Sequence, residues 1–393
     1  MISAQSKDML RATLPAVEGA LDQITPRFYE RMFTAHPELL DNLFNRVNQK
    51  AGTQPQVLAG SIAAFARLQL EPDPALQKFI IERIAHKHAS LGVIADQYPI
   101  VHEHLFAAIV EVLGEAVTPE VAAAWDELYW EMAHVLIARE TELYSQAGLS
   151  PGDVWRDVVV VQRDQVAPDA VSFTLAARDG SALPGFTPGQ YLSVQAPLDD
   201  GAHQIRQYSL TGSPDQPTWR VSVKLDGEVS SYLHERVFEG DEVHVSTPFG
   251  DLSLPAGDGP LLLVSAGIGC TPVIGLLHHL VESGDQRPIQ VLHADRSRSR
   301  QPHRGELAEL VGKLPHATLH QWYENGVDTG DGVRIGRMSL DDMSIDPDTV
   351  ALLCGPAGFL SSVRASLVDR DIPENRIHYE TFGPELVRVG GQG

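Results

Sequence analysis

The chain has 393 residues, 43% hydrophobic and 21% charged, a length and composition that predict roughly two to three globular domains. Its formal net charge of -22 excludes a surface built for nucleic acid or an anionic membrane, so an anionic cofactor must be held by local cations. Cys270 and Cys354 are the only cysteines, which excludes a cysteine-ligated zinc or iron–sulfur site and suits a reducing compartment. The first residues lack a basic stretch before an apolar run, and no run approaches the ~20 apolar residues of a membrane span. A cytoplasmic protein without integral membrane association is expected.

Up to about residue 147 the apolar residues recur at helical spacing. Thr25-Pro26 reads as the N-cap and first residue of a helix in which Phe28 and Met32, and also Tyr29 and Phe33, lie one turn apart, until His36-Pro37 stops it. Over 79–91, Ile81, Ile84 and His88 share a stripe that reads as buried, whereas His86, one turn after Glu82 and Arg83, reads as solvated. A histidine on an apolar stripe suits either a hydrogen-bonded core residue or a metal ligand. Asp96 reads as the cap of a helix reaching about Gly114, and Thr118-Pro119 opens a last one ending near Gly148. On that helix Glu140 lies among Leu136, Ile137, Leu143 and Tyr144, where packing would place an aliphatic residue; Glu142, beside Ala138, Arg139 and Ser145, reads as solvated. A buried carboxylate requires a donor. The donor is either an arginine in a structural pair or a histidine that the carboxylate polarises toward a metal, with Tyr98 as a candidate hydroxyl bridge. With no cysteine ligand and a single histidine on the apolar face, haem iron fits better than a multi-histidine site.

From Trp155 the texture changes to short β-branched runs at 158–161, 171–176, 191–194, 205–210, 220–225 and 242–245, which predict a small antiparallel β-barrel. After the Pro255-Ala256-Gly257-Asp258-Gly259 stretch, strand and helix alternate from 261 to 369, which predicts an open α/β sheet. The linker at 148–152 and the glycines near 257 divide the chain into 1–147, 153–257 and 258–393. Arg206-Gln207-Tyr208-Ser209 looks like a flavin site: a cation for a pyrophosphate, a ring or hydroxyl for the cofactor, and a hydroxyl near the redox-active nitrogen. An ordinary barrel strand could carry the same residues. Gly227 to Ser231, including Val229 and Ser230, opens a short helix that can add backbone donors. Gly267-Ile268-Gly269-Cys270-Thr271-Pro272 lies between an apolar strand and a helix, so N–H groups and the helix dipole can meet a second pyrophosphate. Cys354-Gly355-Pro356 forms a comparable loop. Asp295 suits a ribose diol, whereas Arg296, Arg298 and Arg300 could pair a 2′-phosphate; the balance is read as NADH over NADPH.

Phe28-Tyr29-Glu30-Arg31-Met32-Phe33, His36-Pro37-Glu38-Leu39, Phe44-Asn45, Asn48-Gln49, Ala85-His86-Lys87-His88 and Arg139-Glu140 together resemble the globin domain of the flavohaemoglobins. The strings at 206–209, 267–272 and 354–356, with Tyr379-Glu380-Thr381-Phe382-Gly383-Pro384, resemble their reductase part, collinearly over essentially the whole chain. The resemblance implies a globin fold followed by an FAD-binding barrel and an NAD(P)-binding α/β domain of the ferredoxin-reductase type. It implies His88 as the proximal ligand of haem b, with Tyr98 and Glu140 completing a relay that favours oxygen activation, and Lys87 tuning haem and flavin potentials. On the other side of the haem it implies Tyr29 directing its hydroxyl at bound O₂, Phe44 packing on the porphyrin, and Gln54 and Leu58 lining a distal pocket able to take a lipid. It implies Tyr191 with Arg206 to Ser209 on FAD, Glu380 adjusting flavin chemistry, and Thr381, Phe382, Gly383 and Pro384 closing over the flavin. Gly267 to Pro272 and Cys354 to Pro356 would serve NADH or NADPH. The implied activity is nitric oxide dioxygenation by a monomer whose partners are O₂ and NO. An oxygen-binding or sensing globin with a maintenance reductase, and a general flavin reductase, stand as alternatives.

Overall fold

The computed structural model describes residues 2–42, 53–326 and 332–382, without the side chains of 40–42 and 53–59. Capping chemistry sets the helix starts in the first part of the chain. Thr118 Oγ1 accepts from the Val121 N–H at 3.4 Å and Pro119 takes the first position of the helix Pro119–Gln146. Asp73, a cap the sequence reading passed over, accepts from the N–H groups of Ala75 and Leu76 at 3.1 and 3.0 Å and starts Pro74–Leu91, which ends on Gly92 at φ 78°. Two expected starts move. The helix expected from Thr25 runs Leu21–Ala35, with Pro26 inside it, and Thr25 Oγ1 donates to the Leu21 carbonyl at 2.7 Å instead of capping. The proline removes one helical hydrogen bond, which the burial of Ile24, Phe28, Tyr29 and Met32 outweighs. Asp96 lies in a short turn, Ala95–Gln97, where Gln97 Oε1 accepts from the Ile94 N–H at 3.0 Å; the helix Tyr98–Leu113 follows.

The chain divides into two compact units, Met1–Trp155 with Pro197–Ile205, and Arg156–Ala196 with Arg206–Gly393. The first is helical, adding Ala4–Gly19, Pro37–Asn42 and Thr53–Leu70 to the helices above. Pro119–Gln146 packs on Ala4–Gly19 and on Pro74–Leu91, while Leu21–Ala35 packs on Tyr98–Leu113. The long last helix thereby brings Glu140 against the helix that carries His88. No described helix is long and apolar enough to cross a membrane.

The second unit holds nearly all of two six-stranded sheets. β1 (Trp155–Ala167), β2 (Ala170–Ala177), β3 (Tyr191–Pro197), β4 (His203–Ser209), β5 (Trp219–Lys224) and β6 (Glu242–Ser246) lie in the order β4-β3-β6-β1-β2-β5. A bridge between Leu210 and Val221, with the Thr211 N–H donating to Arg220 O at 2.8 Å, joins the segment after β4 to β5 and closes the barrel. Val158, Phe173, Leu192, Trp219 and Val245 fill it, and Val229 and Leu233 of the helix Glu228–Arg236 plug it. β7 (Leu261–Ala266), β8 (Ile289–Asp295), β9 (Ala317–Tyr323), β10 (Val333–Ile335), β11 (Val350–Gly355) and β12 (Ile377–Thr381) form a parallel sheet in the order β10-β9-β8-β7-β11-β12. The strand order reverses between β7 and β11, so the carboxyl ends of these two strands form the crevice where an open α/β sheet takes its ligand.

Candidate redox sites

His88 meets Glu140 and Tyr98 through one nitrogen. Its Nδ1 lies 2.7 Å from Glu140 Oε1 and 3.2 Å from Tyr98 Oη, and the Tyr98 hydroxyl donates to the same Oε1 at 2.6 Å. Glu140 is 2% exposed, so its carboxylate relies on these donors rather than on water. Burial first, and then the charge of Glu140, push the Tyr98 hydroxyl above its ordinary pKa and keep it a donor. Two further tyrosines on the long helix fix the backbone beneath: Tyr129 Oη donates to Tyr98 O at 2.7 Å and Tyr144 Oη to Val93 O at 2.6 Å. Periodicity alone could have flagged both, since they share the apolar face of Glu140. The His88 side chain is 33% exposed on a helix whose Ile81, Ala85 and Ala89 are buried. With Nδ1 taken, Nε2 is the nitrogen left to coordinate a metal, as haem ligation requires.

His86 departs from its expected place. It is 8% exposed, with Nε2 3.6 Å from Glu82 Oε2, and Arg139 clasps the same carboxylate through Nε and Nη2 at 2.9 Å each. The polar face read as solvated is covered by the last helix, and a charged pair makes that burial tolerable. Lys87 is exposed. Tyr29 is buried, its ring 4.6 Å from Phe28 and 5.4 Å from Phe33. Gln54 and Leu58 lie in Thr53–Leu70, whose first turn accommodates Pro55, but their side chains fall outside the described residues, as does Phe44.

In the second unit Tyr191 and Ser209 are buried and Arg206, Gln207 and Tyr208 partly buried. Burial lowers the Arg206 pKa, opposed by Tyr208 and Glu228 nearby, so its charge lies in a medium where an anionic pyrophosphate gains most. Gln207 Nε2 donates to Ser193 Oγ at 2.9 Å and so serves the barrel wall. Gly227, at φ 129° and facing open space, starts Glu228–Arg236 without a side-chain cap, which leaves backbone donors for a phosphate. The Val229 side chain lies in the barrel core and Ser230 Oγ donates to Gly227 O at 2.9 Å, so these two can offer a ligand their backbone rather than their side chains.

Gly267 to Pro272 follows β7 and opens the helix Cys270–Glu282; Cys354 and Gly355 end β11 and Pro356 follows it. The two loops interlock, because a Cβ on Gly269 would stand 2.5 Å from Cys354 O. Gly267, at φ 55°, has open space above it. Cys270 is fully buried, its thiol pKa raised by burial first and then by Asp295, and Thr271 Oγ1 donates to Ile268 O at 3.0 Å. Glu380 and Thr381 pair with Cys354 and Gly355 across β11 and β12, which places them at the same crevice. Phe382 is exposed; Gly383 and Pro384 lie outside the described residues.

Residues 26–136 match the globin family, 157–254 the oxidoreductase FAD-binding domain family and 263–365 the oxidoreductase NAD-binding domain family. A flavohemoprotein of Bordetella pertussis is 40% identical over 400 residues, covering 98% of this chain and 99% of the relative. The chain belongs to the flavohaemoprotein family. A flavohaemoprotein of Deinococcus radiodurans is likewise 40% identical over 397 residues, covering 98% of both chains. The crystal structure of a flavohemoglobin from Malassezia yamatoensis with bound FAD and heme matches with a TM-score of 0.91 at 36% identity, covering 97% of this chain and all of that one. The FAD/NAD binding domain of the nitric oxide dioxygenase of Vibrio cholerae matches 58% of this chain and 99% of that one, at a TM-score of 0.55 and 32% identity. This flavohaemoprotein is an oxidoreductase of haem, FAD and a nicotinamide cofactor, and the donor sets above fit all three groups.

Proposed function

We propose that this flavohaemoprotein catalyses the NAD(P)H-dependent oxidation of NO by O₂ to nitrate. When bound, the three groups supply hydride transfer at the nicotinamide, its division into single electrons at the flavin, and oxygen activation at the haem iron. The observation that carries the reading is the Glu140 carboxylate on His88 Nδ1. A carboxylate there draws the imidazole proton and makes Nε2 a stronger donor, which favours activating oxygen over carrying it. Tyr98 holds the same carboxylate oxygen and keeps it aligned. Tyr29 is assigned the hydroxyl that meets O₂, Arg206 the flavin pyrophosphate and Ser209 the flavin ring. The kinship with the FAD/NAD binding domain of a nitric oxide dioxygenase supports the same assignment.

NADH is the assigned donor. Asp295 ends β8 with Oδ1 accepting the Arg296 N–H at 2.6 Å, which favours a ribose diol over a 2′-phosphate beside it. Arg300 lies 3.7 Å from Asp169 and is thus drawn elsewhere. Purified protein loaded with haem and FAD is expected to form nitrate from NO under air, faster with NADH than with NADPH. His88→Ala should reduce that turnover at least about a hundredfold. Undiminished nitrate formation by His88→Ala would sink the proposal.

A further inference from the structure

Three polar side chains outside every motif converge on one carboxylate in the second unit. Glu306, in the first turn of the helix Arg304–Lys313, accepts from His278 Nε2 at 2.7 Å and from His303 Nδ1 at 2.6 Å, and Arg220 Nη2 donates to it as well. Because a carboxylate only accepts, both imidazoles must present N–H to it, and His303 Nε2 is left for the Ser222 hydroxyl at 2.8 Å. Burial by itself would raise the Glu306 pKa; hydrogen bonds from the two histidines and the Arg220 charge outweigh it and hold the carboxyl below its usual range.

Each of these residues belongs to a segment that reaches a cofactor loop. Arg220 also grips Thr211, through Nε to Oγ1 at 3.1 Å and Nη2 to the carbonyl at 2.7 Å. Thr211 lies two residues beyond the flavin string ending at Ser209. His278 lies on Cys270–Glu282, the helix whose start is the Gly267 to Pro272 loop, and this helix passes so close to the flavin string that a Cβ on Gly275 would collide with the Leu210 carbonyl. His303, held in the left-handed region at φ 53°, terminates the loop that begins at Asp295. A residue without glycine's freedom keeps such a backbone only when its surroundings enforce it, and here the enforcing contacts are Glu306 and Ser222.

We propose that Glu306 is a positioning residue for hydride transfer, tying the flavin strand end, the nicotinamide phosphate loop and the Asp295 loop to one point so that the two cofactor rings meet in register. The proposal rests on the reading that NAD(P)H reduces FAD within this unit. Charge-assisted bonds are short and directional, which is what a register requires, and misplacing reacting atoms by 1 Å can slow a reaction about a hundredfold.

Anaerobic stopped-flow reduction of the FAD in the full-length, haem- and FAD-loaded protein tests this. The parent must first reduce its flavin with NADH; failure there would strike the reading of the unit itself, not Glu306. In Glu306→Ala the limiting rate constant for flavin reduction should fall about tenfold or more, with a weaker nicotinamide–flavin charge-transfer band, while NADH affinity and FAD content stay near parental values. The isosteric Glu306→Gln keeps an acceptor but loses the charge, and should show a smaller fall of about threefold or more. Arg220→Ala should lower the rate in the same way, and the double variant with Glu306→Ala should be no slower than the worse single variant. A parental limiting rate in Glu306→Gln, or a loss confined to NADH affinity, overturns the proposal. If Glu306→Ala does not fold, Glu306→Gln and Arg220→Ala decide the matter on the same readouts.

Discussion

Glu140 shows how much chemistry a single misplaced polarity can disclose. A carboxylate surrounded by Leu136, Ile137, Leu143 and Tyr144 is legible in the sequence as an anomaly, but not its partner. The partner emerges only where the long helix packs on Pro74–Leu91 and sets Oε1 2.7 Å from His88 Nδ1. Replacing that carboxylate with an amide removes the negative charge beside the imidazole while leaving the volume nearly unchanged. Glu140→Gln is therefore expected to lower the iron–histidine stretching frequency in the ferrous protein and to slow NO turnover about ten- to a hundredfold. Resonance Raman spectra and turnover that both match the parent would favour the oxygen-binding alternative. His86 is the converse case. Its neighbours Glu82 and Arg83 made it look solvated, yet a bidentate arginine from another helix makes the same face a buried one, and local sequence carries no sign of that arginine.

Helices and strands were readable in proportion to how local their causes are. Thr118-Pro119 starts a helix because its side chain and ring act within one turn. Thr25-Pro26 carries the same signature and starts nothing, since tertiary burial of the Leu21–Ala35 face overrides it. The glycine loops after β7 and β11 were visible as motifs, but their interlocking and the approach of Cys270–Glu282 to Leu210 depend on the parallel sheet and the barrel meeting. Gly275 lies in mid-helix, where glycine has no propensity reason to be, and the Leu210 carbonyl explains it. Gly275→Ala should destabilise this unit by about 1–3 kcal/mol through overpacking and loosen FAD. Thermal unfolding followed by flavin fluorescence would register both effects, and an unchanged midpoint would refute the close approach.

For the molecule as a whole, the net charge of -22 sets the terms on which NADH arrives. NADH is an anion, whereas O₂ and NO are neutral, so long-range repulsion acts on one substrate alone. Raising ionic strength from about 0.01 to 0.15 M shortens the Debye length from about 30 to 8 Å and is expected to increase the second-order rate constant of flavin reduction by NADH about two- to threefold. Oxygen binding to the reduced haem should not change. A fall with salt would mean instead that cations such as Arg206 and Arg296 dominate the approach. The sequence by itself determined the all-α part, the barrel and the α/β sheet, because hydrophobic period and turn chemistry are properties of neighbouring residues. It also pointed to the flavin and nicotinamide cofactors, since phosphate loops and flavin strings are contiguous, whereas haem at His88 followed from the family resemblance. Only the tertiary structure decided which nitrogen of His88 meets Glu140, which face of its helix is covered, and that Glu306 gathers Arg220, His278 and His303. Those contacts join residues far apart in the chain, and their geometry depends on how whole elements pack.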